Sequence, residues 1–319
     1  MTGQVIALVP EDKFHSLDTT RASDLQAMEF PPIEWIIPGY VVEGLTILAG
    51  KPKLGKSWLA LDWALATAYG GIACGSIRCE EGDVLYLALE DNKRRLKSRM
   101  QQLLPDGVWP DRLELITNFR RLNEGGLDDL RDWIRSAERP RLIVIDTLVC
   151  VRPARGSKDN PYETDYAALA PLQELAGETN VAIVVVHHVR KLESDDPLDT
   201  VSGTTGLTGA ADSILILRRD AQGMTLYGRG RDIDEIENAM EFDPTTGRWA
   251  ILGLAAEIRK SDERLAIIAA LKEAGSALSP NEIAGATNMK DGNVRFLLHK
   301  MSLAGEVQKD GRGRYRPPV

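Results

Sequence analysis

The chain has 319 residues with a formal net charge of −8, which leaves room for one large α/β domain and a small appendage and argues against a protein coated along its whole surface by nucleic acid. Its three cysteines, Cys74, Cys79 and Cys150, have neither metal-ligand nor disulfide-framework spacing and read as reduced packing or surface residues. No apolar run is long enough to cross a membrane, and Val5 to Val9 is too short for an export leader, so the expected setting is soluble and cytoplasmic.

In chain order, residues 1–30 read as a polar, loosely ordered lead-in, and Phe30 to Gly39 as a segment packing onto the domain that follows. The first strand, 45–49, runs into Gly50-Lys51-Pro52-Lys53-Leu54-Gly55-Lys56-Ser57, which fits G-x-x-x-x-G-K-[ST]. The chemistry explains the spacing. Phosphate oxygens must be wrapped by backbone N–H groups, and glycines at 50 and 55 allow an approach that a Cβ would obstruct. Lys56 brings a positive charge to the β- and γ-phosphates, and the Ser57 hydroxyl is placed to ligate Mg²⁺ where a helix begins. The nucleotide-binding set therefore runs from Gly50 to Ser57 and includes Trp58 at the start of that helix, predicted near 57–69. ATP and Mg²⁺ are the expected ligands.

Further strands are predicted at 84–89, 113–117, 141–146, 181–187 and 212–217, with helices near 92–104, 124–137 and 162–178. Near-continuous apolar runs such as Leu142 to Ile145 indicate a parallel sheet covered on both faces, with ligands gathered at the carboxyl ends of its strands. Asp146 ends one such strand and suits an acid holding Mg²⁺, through water, opposite Ser57. Glu90 ends another, on what is expected to be the strand next to the phosphate loop, and is the candidate for orienting and deprotonating the attacking water. Its neighbour Asp91 is expected to cap the following helix. The strand at 181–187 ends in His187-His188. A neutral imidazole there can sense a γ-phosphate, and His187, which alternates into the sheet face, is the favoured one.

These segments, together with Ser202 to Asp212, resemble in order and spacing the RepA-like branch of the RecA/DnaB-type ATPases, which are ring-forming replicative helicases of plasmids and phages and their relatives. The resemblance covers residues 30 to 252 and implies a RecA-like P-loop core (31–253) acting as a homo-oligomeric, hexameric ring on single-stranded DNA, with replication proteins as partners. It also implies that a basic finger from one subunit completes the site of the next, and Arg229 and Arg231 match its position. The segments 152–161 and 190–208 correspond to loops that touch nucleic acid, with Arg190 and Lys191 as contacts.

Residues 259–319 differ in character. They hold eleven Lys/Arg against seven Asp/Glu, a net of +4 that leaves −12 on the remainder. Helix starts at Ser261 and after Ser279, a third helix from Asp291 to Ala304 and a Gly-centred hairpin suggest a winged helix-turn-helix. Arg295 and Lys300 would lie on its recognition helix, with Arg312 and Arg314 on its wing. The acidic stretch Glu193 to Asp199 and the lack of aromatics in both long segments keep a second function open, an ATP-dependent DNA-binding regulator or loader without sustained unwinding.

Overall fold

The computed structural model describes residues 19–153, 161–189, 198, 201, 206–220, 222–311 and 313–317. The chain divides into two units, Met1–Ile33 and Glu34–Val319. Within the described part of the first, helix α1 (Ala22–Ala27) interrupts what the sequence suggests is an irregular lead-in, and it buries none of its residues.

The second unit begins with a small antiparallel pair, β1 (Trp35–Ile37) and β2 (Val41–Val42), whose Ile36, Ile37 and Val41 lie in the core. Then β3 (Gly44–Gly50) leads through the phosphate-loop segment into α2 (Lys56–Tyr69). A short hairpin, β4 (Ile72–Ala73) and β5 (Ile77–Arg78), precedes β6 (Asp83–Ala88), α3 (Lys93–Leu103) and β7 (Leu113–Ile116). The elements α4 (Gly126–Ser136), β8 (Pro140–Asp146), α5 (Leu148–Val151), α6 (Pro161–Thr179), β9 (Ala182–His188) and α7 (Gly206–Ala210) follow. Next comes a meander of β10 (Ser213–Asp220), β11 (Gly223–Gly230), β12 (Ile236–Asp243) and β13 (Arg248–Leu254).

One nine-stranded sheet has the order β13-β12-β11-β10-β3-β9-β8-β6-β7. From β10 to β7 every pairing is parallel, as expected from strands joined through helices. Alternate residues of these strands enter two separate cores. Leu48, Val84, Val144 and Val184 pack with α2 and α3, whereas Ile47, Leu85, Ile143 and Ile183 pack with α4 and α6. The expectation of a purely parallel sheet is corrected on the other side, where β10 to β13 pair antiparallel. Short turns allow no crossover there: Gly223 takes φ +126° where β11 begins, and Asp243 accepts from Thr245 N–H and the Thr246 hydroxyl, each at 2.8 Å, between β12 and β13.

Beyond the sheet lie α8 (Ala255–Ala274), α9 (Pro280–Thr287), α10 (Asp291–Leu303) and the hairpin β14 (Gln308–Lys309) with β15 (Tyr315–Arg316). Helix α8 starts six residues before the Ser261 expected from the sequence, directly after β13 with no linker between. Arg259 fastens it to the sheet through Asp220 (3.2 Å) and Glu237 (3.4 Å). Residues from the three helices, among them Ile267, Ile283, Val294 and Leu298, form a third, separate apolar core. Ser279 and Glu282 make the reciprocal capping box that starts α9.

Candidate active site

The phosphate-loop segment has the backbone its sequence requires. Gly55 takes φ +95° as the N-cap of α2, and an added Cβ would stand 2.9 Å from Trp249 Cζ2. At Gly50 an added Cβ would meet Leu217 O at 2.6 Å, so neither glycine accepts a side chain without the loop shifting. Trp249, on β13, also donates from Nε1 to the Gly55 carbonyl at 3.2 Å, bracing the loop from the antiparallel side of the sheet. Trp249 packs with Phe242 at 5.0 Å between ring centroids, Phe242 with Trp58 at 6.2 Å, and Arg99 lies 5.4 Å over the Trp58 ring.

Lys56 is buried, and its ammonium folds back on the loop, donating to Gly50 O (2.7 Å), Lys51 O (3.0 Å) and His188 Nδ1 (3.1 Å). Burial lowers its pKa to about 8, against the opposing pull of the Asp146 and Glu90 carboxylates. An ammonium only donates, so Nδ1 of His188 accepts, and the proton of a neutral ring sits on Nε2. That nitrogen faces Glu90 Oε2 at 3.7 Å. The sequence favoured His187, but the histidine joining Lys56 to Glu90 is His188, which pairs in register with Gly50 whereas His187 pairs with Ala49. Alternation alone could not tell which of the two reaches past the strand end.

Glu90 also differs from expectation in its origin. Its strand, β6, is not beside the phosphate-loop strand, because β9 and β8 lie between them. The carboxylate still reaches the site from the turn after β6, and Thr147 donates from its hydroxyl to Oε1 at 3.1 Å. Asp91 does not cap α3. Asn92 does, accepting from Arg95 N–H at 2.9 Å, while Asp91 holds the guanidinium groups of Arg95 and Arg99.

Asp146, at the end of β8, is buried, and its carboxyl is pushed up by burial against the opposing Ser57 and Tyr86 hydroxyls. Tyr86 donates to Oδ2 at 3.0 Å, whereas Oδ1 is buried without a hydrogen-bond partner among the described residues. A buried carboxylate that keeps one unpartnered oxygen and lies close to the Ser57 hydroxyl is the donor set a hard divalent cation takes, so Ser57 and Asp146 fit Mg²⁺. Tyr86 was not singled out from the sequence, yet a tyrosine inside an otherwise apolar strand signals a hydroxyl that needs a buried partner. Thr147, Trp249 and the ion pair between Asp62 of α2 and Arg248 of β13 (2.6 Å) were likewise missed.

The remaining predicted residues lie elsewhere. Arg229 and Arg231 are exposed at the end of β11, where Arg231 pairs with Asp212 at 3.0 Å beside a cavity of about 200 Å³. Gly230 is in register with Ser213, and Ser213 with Thr46, so these arginines sit toward the opposite end of the strands from Gly50. Arg295 pairs with Asp291 (2.6 Å), and Lys300 lies 4.3 Å over the Phe296 ring on the exposed face of α10. Arg314 is tied to Glu282 (2.9 Å) and to Ala277 O (2.9 Å), which makes it part of the joint between α9 and the hairpin rather than a free wing contact. Arg190, Lys191 and Arg312 fall outside the described residues.

Residues 10–194, more than half of the chain, match the AAA domain family. The chain is similar to the Gene 65 protein of Mycobacterium phage D29, at 24% identity over 220 residues, covering 62% of this chain and 95% of that protein. It is also similar to the Gene 65 protein of Mycobacterium phage L5, at 25% over 190 residues, covering 56% and 71%. In fold it resembles a separately solved ATPase domain, with a TM-score of 0.52 at 16% identity over 66% of this chain and 85% of that one. It resembles equally a DnaB-like replicative helicase studied with primase, with a TM-score of 0.52 at 15% identity over 66% and 58% of the two chains. The chain belongs to the AAA domain family, and it carries its phosphate loop on a RecA/DnaB-type ATPase fold.

Proposed function

We propose that this protein is an ATP-hydrolysing ring ATPase acting on nucleic acid, a replicative DNA helicase of a plasmid, phage or other mobile element. The observation that carries the reading is the chain of contacts Lys56–His188–Glu90 beside the buried Asp146, a hydrolytic set assembled from the ends of β3, β9, β6 and β8. In hydrolysis Lys56 exchanges its contacts with Gly50 O and Lys51 O for phosphate oxygens, and Glu90 orients a water in line with the γ-phosphate and takes its proton. Ser57 and, through water, Asp146 would hold a bound Mg²⁺, which would supply neutralisation of the phosphate charge. His188, touching both Lys56 and Glu90, senses whether the γ-phosphate is present.

A ring supplies the missing cation. Arg229, in register through Ile214 with Ile47, is separated from its own phosphate loop by the three residue steps from Ile47 to Gly50, roughly 10 Å of strand, and Arg231 lies farther still, so they serve a neighbour's site. The fold shared with a DnaB-like replicative helicase and the sequence similarity to two phage proteins support the mobile-element setting. A second reading, a regulator or loader without sustained unwinding, is favoured by one observation: the net charge of +4 over residues 259–319 sits on a helical tail with its own apolar core. In that reading the tail is a winged-helix-like module that binds DNA, with Lys300 and Arg295 on its exposed helix.

The test is ATP turnover with and without single-stranded DNA at two salt concentrations, alongside the mass of the nucleotide-bound protein. Strong stimulation of a multimer supports the helicase. Turnover indifferent to nucleic acid moves the assignment to the regulator.

A further inference from the structure

We propose that Thr147 is a positioning residue that sets the Glu90 carboxylate for its reaction, an assignment resting on the reading of Glu90 as the group that activates water. Thr147 stands at the N-cap of α5 with φ −130° and ψ 167°, where a threonine hydroxyl ordinarily accepts from a backbone N–H of the first turn. It makes no such cap bond. Instead the hydroxyl, on a residue only 2% exposed, donates to Glu90 Oε1 at 3.1 Å. A hydroxyl turned away from its local backbone partner toward a distant carboxylate has left the capping role for another.

The need for such a donor follows from where Glu90 sits. It lies beyond the end of β6 in a turn, with a side chain 48% exposed, so neither strand pairing nor packing fixes its rotamer. Thr147 is β-branched and buried, which restricts its χ1 and makes its oxygen a fixed point. With His188 Nε2 at 3.7 Å from Oε2, the two neighbours address the two carboxylate oxygens separately and define which lone pairs remain for water. Thr147 follows Asp146 directly, so the strand end that holds the cation ligand also holds the orienter of the base. Neither position has to be re-established when nucleotide enters, and correct geometry before the reaction lowers the barrier.

The experiment compares Thr147→Val, Thr147→Ser, Glu90→Gln and the Glu90→Gln/Thr147→Val double variant in the full-length protein by steady-state ATP hydrolysis. Valine keeps the shape and removes the donor. The expected result is a kcat about tenfold lower for Thr147→Val with the KM for ATP unchanged, as one lost charge-assisted hydrogen bond predicts. Thr147→Ser should stay within about threefold of the wild type, because it restores the donor. The double variant should be no slower than Glu90→Gln alone, since Thr147 acts only through that carboxylate. Wild-type kcat in Thr147→Val, a loss that serine does not rescue, or a loss carried in KM would overturn the positioning role while leaving Glu90 in place. Full turnover in Glu90→Gln would remove the underlying reading and this assignment together.

Discussion

Lys56 shows how a single residue is prepared for an anion. Its ammonium is buried among carbonyl oxygens and a histidine, which satisfy its hydrogen bonds without returning the solvation it has lost. Its pKa of about 8 is the consequence, and a phosphate placed beside it would raise that value again. Nucleotide affinity should therefore be constant below about pH 8 and decline as the pH rises through it, because binding must then take up a proton. Measuring the dissociation constant of ADP between about pH 7 and 9.5 checks this. A flat profile would mean that the free protein keeps Lys56 charged throughout. At the same scale, the His187/His188 choice was not legible, because both residues occupy one strand end and only the register against Gly50 and Ala49 separates them.

Among the elements, α2 and β13 are joined more tightly than their separation in sequence suggests. Asp62, fully buried in α2, accepts from Cys74 N–H at 2.9 Å and pairs with Arg248, which also donates to Leu103 O on α3. Arg248→Ala would leave that carboxylate buried without its cation. Arg248 is itself about one-third exposed, so the loss should fall at the lower end of the range for broken buried pairs, about 3 kcal/mol. Denaturant unfolding of the variant measures it, and a loss under about 1 kcal/mol would show that the pair is solvated in solution. The parallel strands and four main helices were legible because each carries a continuous apolar run or a helical period. Strands β12 and β13 were not. Ile236 to Asp243 interleaves Glu237, Asn238 and Glu241 with apolar residues, and its pairing is decided by β11 on one side and β13 on the other.

For the whole molecule, the position of Arg229 and Arg231 toward the far end of the strands from the phosphate loop leads to a prediction about assemblies rather than single chains. In the proposed ring, mixing wild-type with Arg229→Ala/Arg231→Ala chains should lower activity faster than the mole fraction of variant, because each altered subunit would also disable its neighbour's site. A strictly proportional fall would mean that each chain is self-contained. The sequence by itself determined the phosphate loop, Asp146 as the end of a buried strand, and the ATPase class, because these depend on local spacing and on residue types that backbone geometry makes irreplaceable. Tertiary structure alone decided that His188 joins Lys56 to Glu90, that Glu90 arrives from three strands away, that Thr147 holds it, and that Trp249 braces Gly55. Those contacts link residues between 57 and 194 positions apart, and no local pattern encodes a partner that only the order of strands in a sheet brings near.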